Sequence, residues 1–519
     1  MLSALTWIPR GACKKVPIRQ EISKDEIEAM RVKQEDMNDF DNNEDDNNED
    51  DDEDNEDEDE DSAMQGTGKA EDYVGKSDLL DEDEDLDDED LEDAEDLEAR
   101  PSDAFVVVAN TEDEYSSLEV HCYSREDGSL YTHHDVTLPS FPLCLAWMDY
   151  AGDGAGALYA QTDRWSGENS AYVGSYVAVG SFEPDIEIWN LDVIDPLEPT
   201  LILKGAKAST SSLSSSSSSS GGTSTKQSKK KNKGGKNSSD TNLTPTAISG
   251  SGADSLSSSV TGHTGAVMGL SWNRIHRHML ASSSADTTVK VWDLDGGGRQ
   301  LHSYSHHKGK VQQVAWNPVE ATVLAMASFD RTASVTDARE AEKKRIAFYG
   351  LTGEPECLLW NHLLPSTFIV STDDGKVTSF DVRMPDKPLW RIQAHAQATT
   401  SVALSSTAEG LMATTSLDKS VKLWDISTFS IDDEHVLPLS SKTMSAGQLF
   451  TCSFYPNSPY LLAAGGSKGM LAIWDISEDG GDASTSEENV IVERFRSKLR
   501  NPATVPSLSI RPREDGQPL

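Results

Sequence analysis

The sequence predicts an all-β propeller of seven blades, interrupted by two low-complexity insertions, and three observations carry that prediction. The first is a period. Trp272, Trp316 and Trp360 stand 44 residues apart; so do Trp292, Thr336, Phe380 and Trp424, and so do Asp286, Asp330, Asp374 and Asp418. A repeat of about 40–45 residues is the length of a four-stranded propeller blade. The second is the content of each period, which splits into short β-prone runs closed by Asn, Asp or Gly. The third is the position of the biased tracts, which fall between such runs and leave the repeat intact.

Taken in order, residues 1–9 hold one apolar run, SALTWIP, read as the innermost strand of blade one. Residues 10–103 form the first insertion, and FVVVAN and LEVHCYS then continue the blade. Blade two reads PLCLAWMD, SYVAVGSFEP and DIEIWNL, and blades one and two together end at 205. Residues 206–260, rich in Ser, Gly, Thr and Lys, are the second insertion. Blades three to seven occupy 261–497, with units opening near Ala266, Lys310, Glu354, Ala398 and Gln448. The last unit is stretched by six residues, and NVIVERFR near Val490 is read as its closing strand. Residues 498–519 are read as a disordered tail. Both insertions have too few large apolar side chains to offset the entropy of ordering and are expected to be disordered.

The net charge of −44 is a local property. From Glu35 to Asp61, 19 of 27 residues are acidic, and from Asp78 to Glu98, 15 of 21. The rest of the chain is close to balanced, so the charge describes a tract and not the folded body. The five cysteines are scattered with no CxxC pair, which gives no disulfide framework and no zinc knuckle. No apolar run reaches membrane-spanning length, and the first 20 residues lack a secretory pattern. The expectation is a soluble intracellular protein.

The residues inside the repeat resemble the WD-repeat family. Gly262-His263 opens a unit whose Asp286 sits in a turn and whose Trp292-Asp293 ends a strand; Ala394-His395, Asp418 and Trp424-Asp425 repeat the arrangement. The resemblance implies two buried hydrogen-bonded chains, His263, Ser282, Asp286, Trp292 and His395, Thr414, Asp418, Trp424. Blade four keeps His307 and Asp330 but has Met326 and Thr336, so it is expected to rely more on apolar packing. YTHHDVTL (131–138) and EIWNLDVIDPLEP (187–199), with the acidic tract and the Lys-rich insert, narrow the match. This layout resembles the periodic tryptophan protein 1 family, over residues 1–10 and 104–478. It implies a nuclear, largely nucleolar scaffold in ribosome biogenesis, acting in rRNA processing, large-subunit assembly or rRNA transcription.

No nucleophile elbow, phosphate-cradling GxxxxGK or ordered carboxylate pair stands in the sequence, so no enzyme activity and no cofactor is expected. His133-His134, His306-His307, His276 and His278 lack converging ligands at metal spacing and are read as turn and strand histidines. Lys226, Lys229, Lys230, Lys231, Lys233 and Lys236 form a candidate import signal or phosphate patch, against a solubilising linker. The acidic tract suits basic protein partners, such as pre-ribosomal proteins or histones, and repels nucleic acid, so RNA contact would be indirect; a phosphorylation-tuned spacer is a further reading. The protein is expected to act as a monomer within a larger assembly. Blade geometry sends the two insertions from opposite faces. Ala285, Phe329, Asp373 and Leu417, each before a turn aspartate, are expected to ring one channel mouth, with Phe329 and Arg331 as candidate partner contacts. The alternative functions are a cullin-ligase substrate receptor, from the Asp-x-Arg runs at Asp337-Arg339 and Asp381-Arg383, and a histone-binding propeller.

Overall fold

The computed structural model describes residues 1–14, 16–19, 99, 100, 102–112, 115–150, 174–206, 262–295, 297–339, 345–430, 436–478 and 489–500. The acidic runs, the six lysines of the candidate import signal and residues 501–519 lie outside these.

Alternating apolar runs of five to nine residues become antiparallel strands here because each can bury one or both faces against a neighbouring sheet. They make seven sheets. Blade one is Leu2–Trp7, Ala104–Glu112, Tyr115–Tyr123 and Leu130–Leu138. Blade two is Pro142–Met148, Tyr176–Ser181, Ile186–Asn190 and Leu201–Leu203. Blade three follows with Val267–Trp272, Met279–Ser284, Val289–Asp293 and Arg299–Tyr304. Blade four has Val311–Trp316, Val323–Ser328, Thr332–Asp337 and Arg345–Phe348; blade five has Pro355–Trp360, Thr367–Thr372, Lys376–Asp381 and Pro388–Gln393. Blade six is Thr399–Leu404, Leu411–Ser416, Ser420–Asp425 and Ser440–Thr443. Blade seven has three strands among the described residues, Leu449–Phe454, Leu461–Gly466 and Leu471–Asp475.

The first strands neighbour one another around a closed ring, with blade seven returning to blade one. Every first strand carries a register shift just after its first residue, as at Val267/Gly269, Val311/Gln313 and Leu449/Thr451. A bulge bends a strand and adds twist, which suits strands crowded around an axis. The second strands are buried on both faces and use small residues there, Ala281, Ser282 and Ser283 in blade three and Ala463 and Ala464 in blade seven.

The N-terminal strand closes blade one across the first insertion, pairing Trp7 with Val106 and Thr6 with Val107. The body also holds part of the segment read as insertion: Ile18–Arg19 pairs in parallel with Val193–Ile194 on the outlet of blade two. One expectation is corrected. Residues 490–496 are a helix, α1 (Val490–Arg496), and not the closing strand of blade seven. The β-branched run Val490-Ile491-Val492 suggests a strand, but the Asn489 side chain accepts from the Ile491 and Val492 N–H groups and caps a helix. Phe495 is then buried against Phe454, Leu462 and Trp474, while Arg494 reaches Asp425 of blade six at 2.7 Å.

Candidate partner-binding faces

Blades three and six each hold a buried polar chain running from strand to turn. Trp292 Nε1 donates to Ser282 Oγ (2.8 Å), whose hydroxyl donates to His263 Nε2 (2.7 Å), and His263 Nδ1 donates to Asp286 (2.9 Å). In blade six Trp424 donates to Thr414 (2.9 Å), Thr414 to His395 (2.8 Å), and His395 to Asp418 (2.9 Å). This order of donors requires a neutral imidazole with its proton on Nδ1. Burial favours that state, pushing both imidazoles down in pKa against the upward pull of the aspartates. Burial alone would raise the Asp286 carboxyl, but hydrogen bonds from His263, Thr288 and the Thr264 N–H hold it below the usual range.

Blade four closes a similar chain by another route. His307 lies 3.1 Å from Asp330, and its other nitrogen meets Ser334 at 2.8 Å; His306 meets the same hydroxyl at 2.9 Å. Ser334 sits on the third strand, paired across to Met326, so the hydroxyl that the second strand lacks comes from its neighbour. In blade five, Thr352 and Lys376 bond Asp374 in the place of a histidine.

The same aspartates build the turns of one face. In SADTT, SFDRT and SLDKS the Ser hydroxyl accepts from the Asp N–H, and the Asp carboxylate accepts from the residue two places on. The residue between them has positive φ: Thr287 at 70°, Arg331 at 62°, Lys419 at 71°, with Gly375 and Gly469 in blades five and seven. At this face Phe329 is half-buried and outside the apolar clusters of its blade, Arg331 and Asp373 are exposed, and Ala285 and Leu417 are half-buried. Two further aromatics stand there that the turn-aspartate rule did not reach. Phe182, 60% exposed and tilted against Phe141 with ring centroids 5.3 Å apart, follows the second strand of blade two; Tyr349, 67% exposed, follows the fourth strand of blade four. Blade two has no turn aspartate in register, which is why Phe182 escaped the pattern.

The comparisons with known proteins agree with this architecture. The family model described as "WD domain, G-beta repeat" matches residues 254–293, 298–337 and 386–425, which end on the third strands of blades three, four and six; the second and third matches open on the fourth strands of blades three and five. A "Periodic tryptophan protein 1 homolog" of Drosophila melanogaster is 30% identical over 393 residues, 75% of this chain and 70% of that protein. The chain belongs to the periodic tryptophan protein 1 family. The Saccharomyces cerevisiae "Periodic tryptophan protein 1" is 27% identical over 444 residues, 78% of this chain and 67% of the relative. An uncharacterized WD repeat-containing protein of Schizosaccharomyces pombe is 38% identical over 401 residues, 77% of this chain and 66% of the relative. The chain thus spans about two thirds of the length of the relatives it matches.

In this family member the tryptophan period marks the opposite channel mouth. Trp272, Trp316 and Trp360 end their first strands and pair with Leu280, Leu324 and Phe368, far from the turn aspartates. With Trp147, Leu404 and Phe454 they line a cavity of about 400 Å³ whose polar lining includes Arg274, Asn317 and His362. The tryptophans are buried, and two N–H groups at this mouth tie neighbouring blades: Trp360 donates to Ala315 O (2.9 Å) and Trp7 to Ser453 O (2.9 Å), each on the preceding blade, whereas Trp272 donates to Arg277 O of its own blade (2.8 Å). Asn273 and Asn317 add bonds to Ala321 O and Pro365 O of the next blade. The period was visible in the sequence as evidence of blades; its place at one mouth needed the register.

The described residues next to the two insertions lie at opposite mouths. Ile18–Arg19, Ala99 and Asp103 lie at the tryptophan side, while Ala206 bonds His263 O at the turn side. The Asp-x-Arg runs are closed on themselves, Arg339 on Asp337 at 2.6 Å and Arg383 on Asp381 at 2.5 Å. Among the described residues no three His, Cys, Asp or Glu converge as metal ligands, and no helix is long and apolar enough to cross a membrane.

Proposed function

We propose that the protein is a non-enzymatic scaffold in ribosome biogenesis, recruiting proteins through the two mouths of its propeller. The single observation that carries this is membership of the periodic tryptophan protein 1 family. The turn face supports a binding role: Phe182, Tyr349, Phe329 and Arg331 are aromatic and Arg side chains at loops, the types enriched in binding hot spots. At the other mouth the acidic insertion would favour basic proteins, pre-ribosomal proteins before histones, and would disfavour direct RNA contact. The six lysines between Lys226 and Lys236 fit import to the nucleus and nucleolus. The protein acts as a monomer inside a larger assembly.

Affinity purification from nuclear extract, with partners identified by mass spectrometry, tests the reading. Large-subunit pre-ribosomal proteins should dominate, and Phe182→Ser with Phe329→Ser should lose them at an unchanged unfolding midpoint. Recovery of ligase adaptors or histones in their place overturns it. Neutralising the six lysines should move the protein to the cytoplasm; unchanged imaging returns them to a linker.

A further inference from the structure

Six blades have four strands and the seventh has three among the described residues, so Leu471–Asp475 is a sheet edge. In blade six the corresponding strand uses Leu423 O to accept from Leu439 N–H of the fourth strand (2.7 Å). Ile473 stands where Leu423 stands, one residue before the strand's tryptophan, so its backbone groups face the open side. That side is shaped. Ile473, Trp474, Asp475 and Glu478, with Tyr123 and Leu130 of blade one and Lys442 of blade six, line a groove of about 410 Å³ that mixes polar and apolar side chains. An open edge is a template for another strand. Residues 479–488, which follow directly, hold no apolar side chain larger than Ala483.

We propose that this edge is a strand-accepting site and that residues 506–510 of the same chain are its occupant. The reading stands apart from the scaffold function above. The segment reads Pro506-Ser507-Leu508-Ser509-Ile510, which alternates with period two. Its Pro-x-apolar-x-Ile order is that of the fourth strand of blade five, Pro388-Leu389-Trp390-Arg391-Ile392. There Trp390 and Ile392 are buried and Pro388 starts the strand, where a missing N–H costs nothing. Blades three, four and five also set a large apolar residue against the start of the third strand: Tyr304 pairs with Val289, Phe348 with Ala333, Ile392 with Val377. Ile510 would meet Leu471 in the same way.

The chain end is positioned for it. Helix α1 packs on blades six and seven, and Arg500 N–H bonds Thr407 O on the tryptophan side of blade six. The fourth strand of a blade starts from that side and runs away from it, so the tail arrives at the correct end with the correct polarity. Six residues from Arg500 to Pro506 span about 20 Å when extended. Copying the blade-five register puts Leu508 opposite Ile473 and Ser509 opposite Ala472. The latter is a narrow, non-hydrogen-bonded pair, with Cα atoms about 4.5 Å apart, within disulfide reach.

The test uses the full chain carrying Ala472→Cys and Ser509→Cys under mild oxidation, with peptide mapping. An intramolecular 472–509 disulfide is expected, and none in a register control with Ala472→Cys and Thr504→Cys. Amide exchange supplies a second readout: at Leu471 and Ile473 it should quicken by about tenfold or more with Leu508→Asp plus Ile510→Asp, while Val267–Trp272 is unchanged. Unaltered exchange and no cross-link overturn the proposal and leave the edge to a partner strand. Protection or cross-linking that rises with protein concentration overturns it in favour of a second copy.

Discussion

Blades three and seven, one a sheet of four strands and the other of three among the described residues, hold a buried tryptophan in opposite ways. Blade three fixes its buried Trp292 through Ser282, His263 and Asp286. In blade seven the same register holds Ser445, Ala464 and Lys468, and the Nε1 of Trp474 is buried with no acceptor. What holds blade seven instead is apolar contact from outside the sheet: Phe495 of α1 packs in one cluster with Trp474, Leu462, Phe454 and Leu449. The polar chain is therefore one way to specify blade packing and is dispensable where a helix seals the sheet. An orphaned indole N–H costs about 1–3 kcal/mol, which the apolar cluster offsets.

The largest effect expected from this contrast is at the seal. Phe495→Ala should cost about 3–5 kcal/mol, as for other fully buried aromatics, read as a shift in urea unfolding; a cost below ~1 kcal/mol would mean the helix is incidental. Next come the turn aspartates. Asp286→Ala and Asp418→Ala should each cost about 1–3 kcal/mol by stranding a buried His N–H, whereas Lys468→Ala in the blade-seven register should change stability by less than ~0.5 kcal/mol. Equal effects at all three positions would erase the distinction. Smaller still is a gain: Ala464→Ser should give Trp474 Nε1 the acceptor that Trp292 has, stabilising by about 1 kcal/mol.

The last difference is one of pH. His263, His307 and His395 all have pKa values lowered by burial, and blade seven has no histidine in that register. Below about pH 6.5 the unfolded imidazoles take up protons that the folded ones refuse. The unfolded state then binds more protons, so stability is full above that pH and declines as pH falls below it. Amide protection, corrected for the intrinsic exchange rate at each pH, should fall from pH 7 to pH 5.5 in blades three, four and six before blade seven. A uniform loss of protection would break the link to the histidines.

Much of this was legible in the sequence because a propeller repeats itself. Register places His263, Asp286 and Trp292 at fixed spacing, and chemistry dictates what a buried indole, hydroxyl and imidazole must do. What escaped were features that depend on neighbours in space. Ser334 stands in for a missing second-strand hydroxyl from across a strand pair, and no spacing rule looks there. The 490–496 segment carries β-branched residues, and only its cap and the buried Phe495 mark it as helix. Phe182 lies in a turn without the aspartate that announces the others. Phe329 stands in the SFDRT turn that its spacing marks, where it is half-buried.

The strand at the very start of the chain has a consequence for how the ring can be completed. Leu2–Trp7 pairs with residues a hundred positions later, and Trp7 bonds Ser453 O across a separation of 446 residues. Made first, it can find its last neighbour only when nearly everything else exists, so ring closure is a late event set by non-local search. The loop it spans is nonetheless inexpensive to lengthen, because closure entropy grows with the logarithm of length and each doubling adds only about 0.6 kcal/mol. Removing residues 35–98 should therefore leave the thermal midpoint within a few degrees, about the shift expected of so weak a dependence, and the acidic tract is free to change length at almost no cost to the ring.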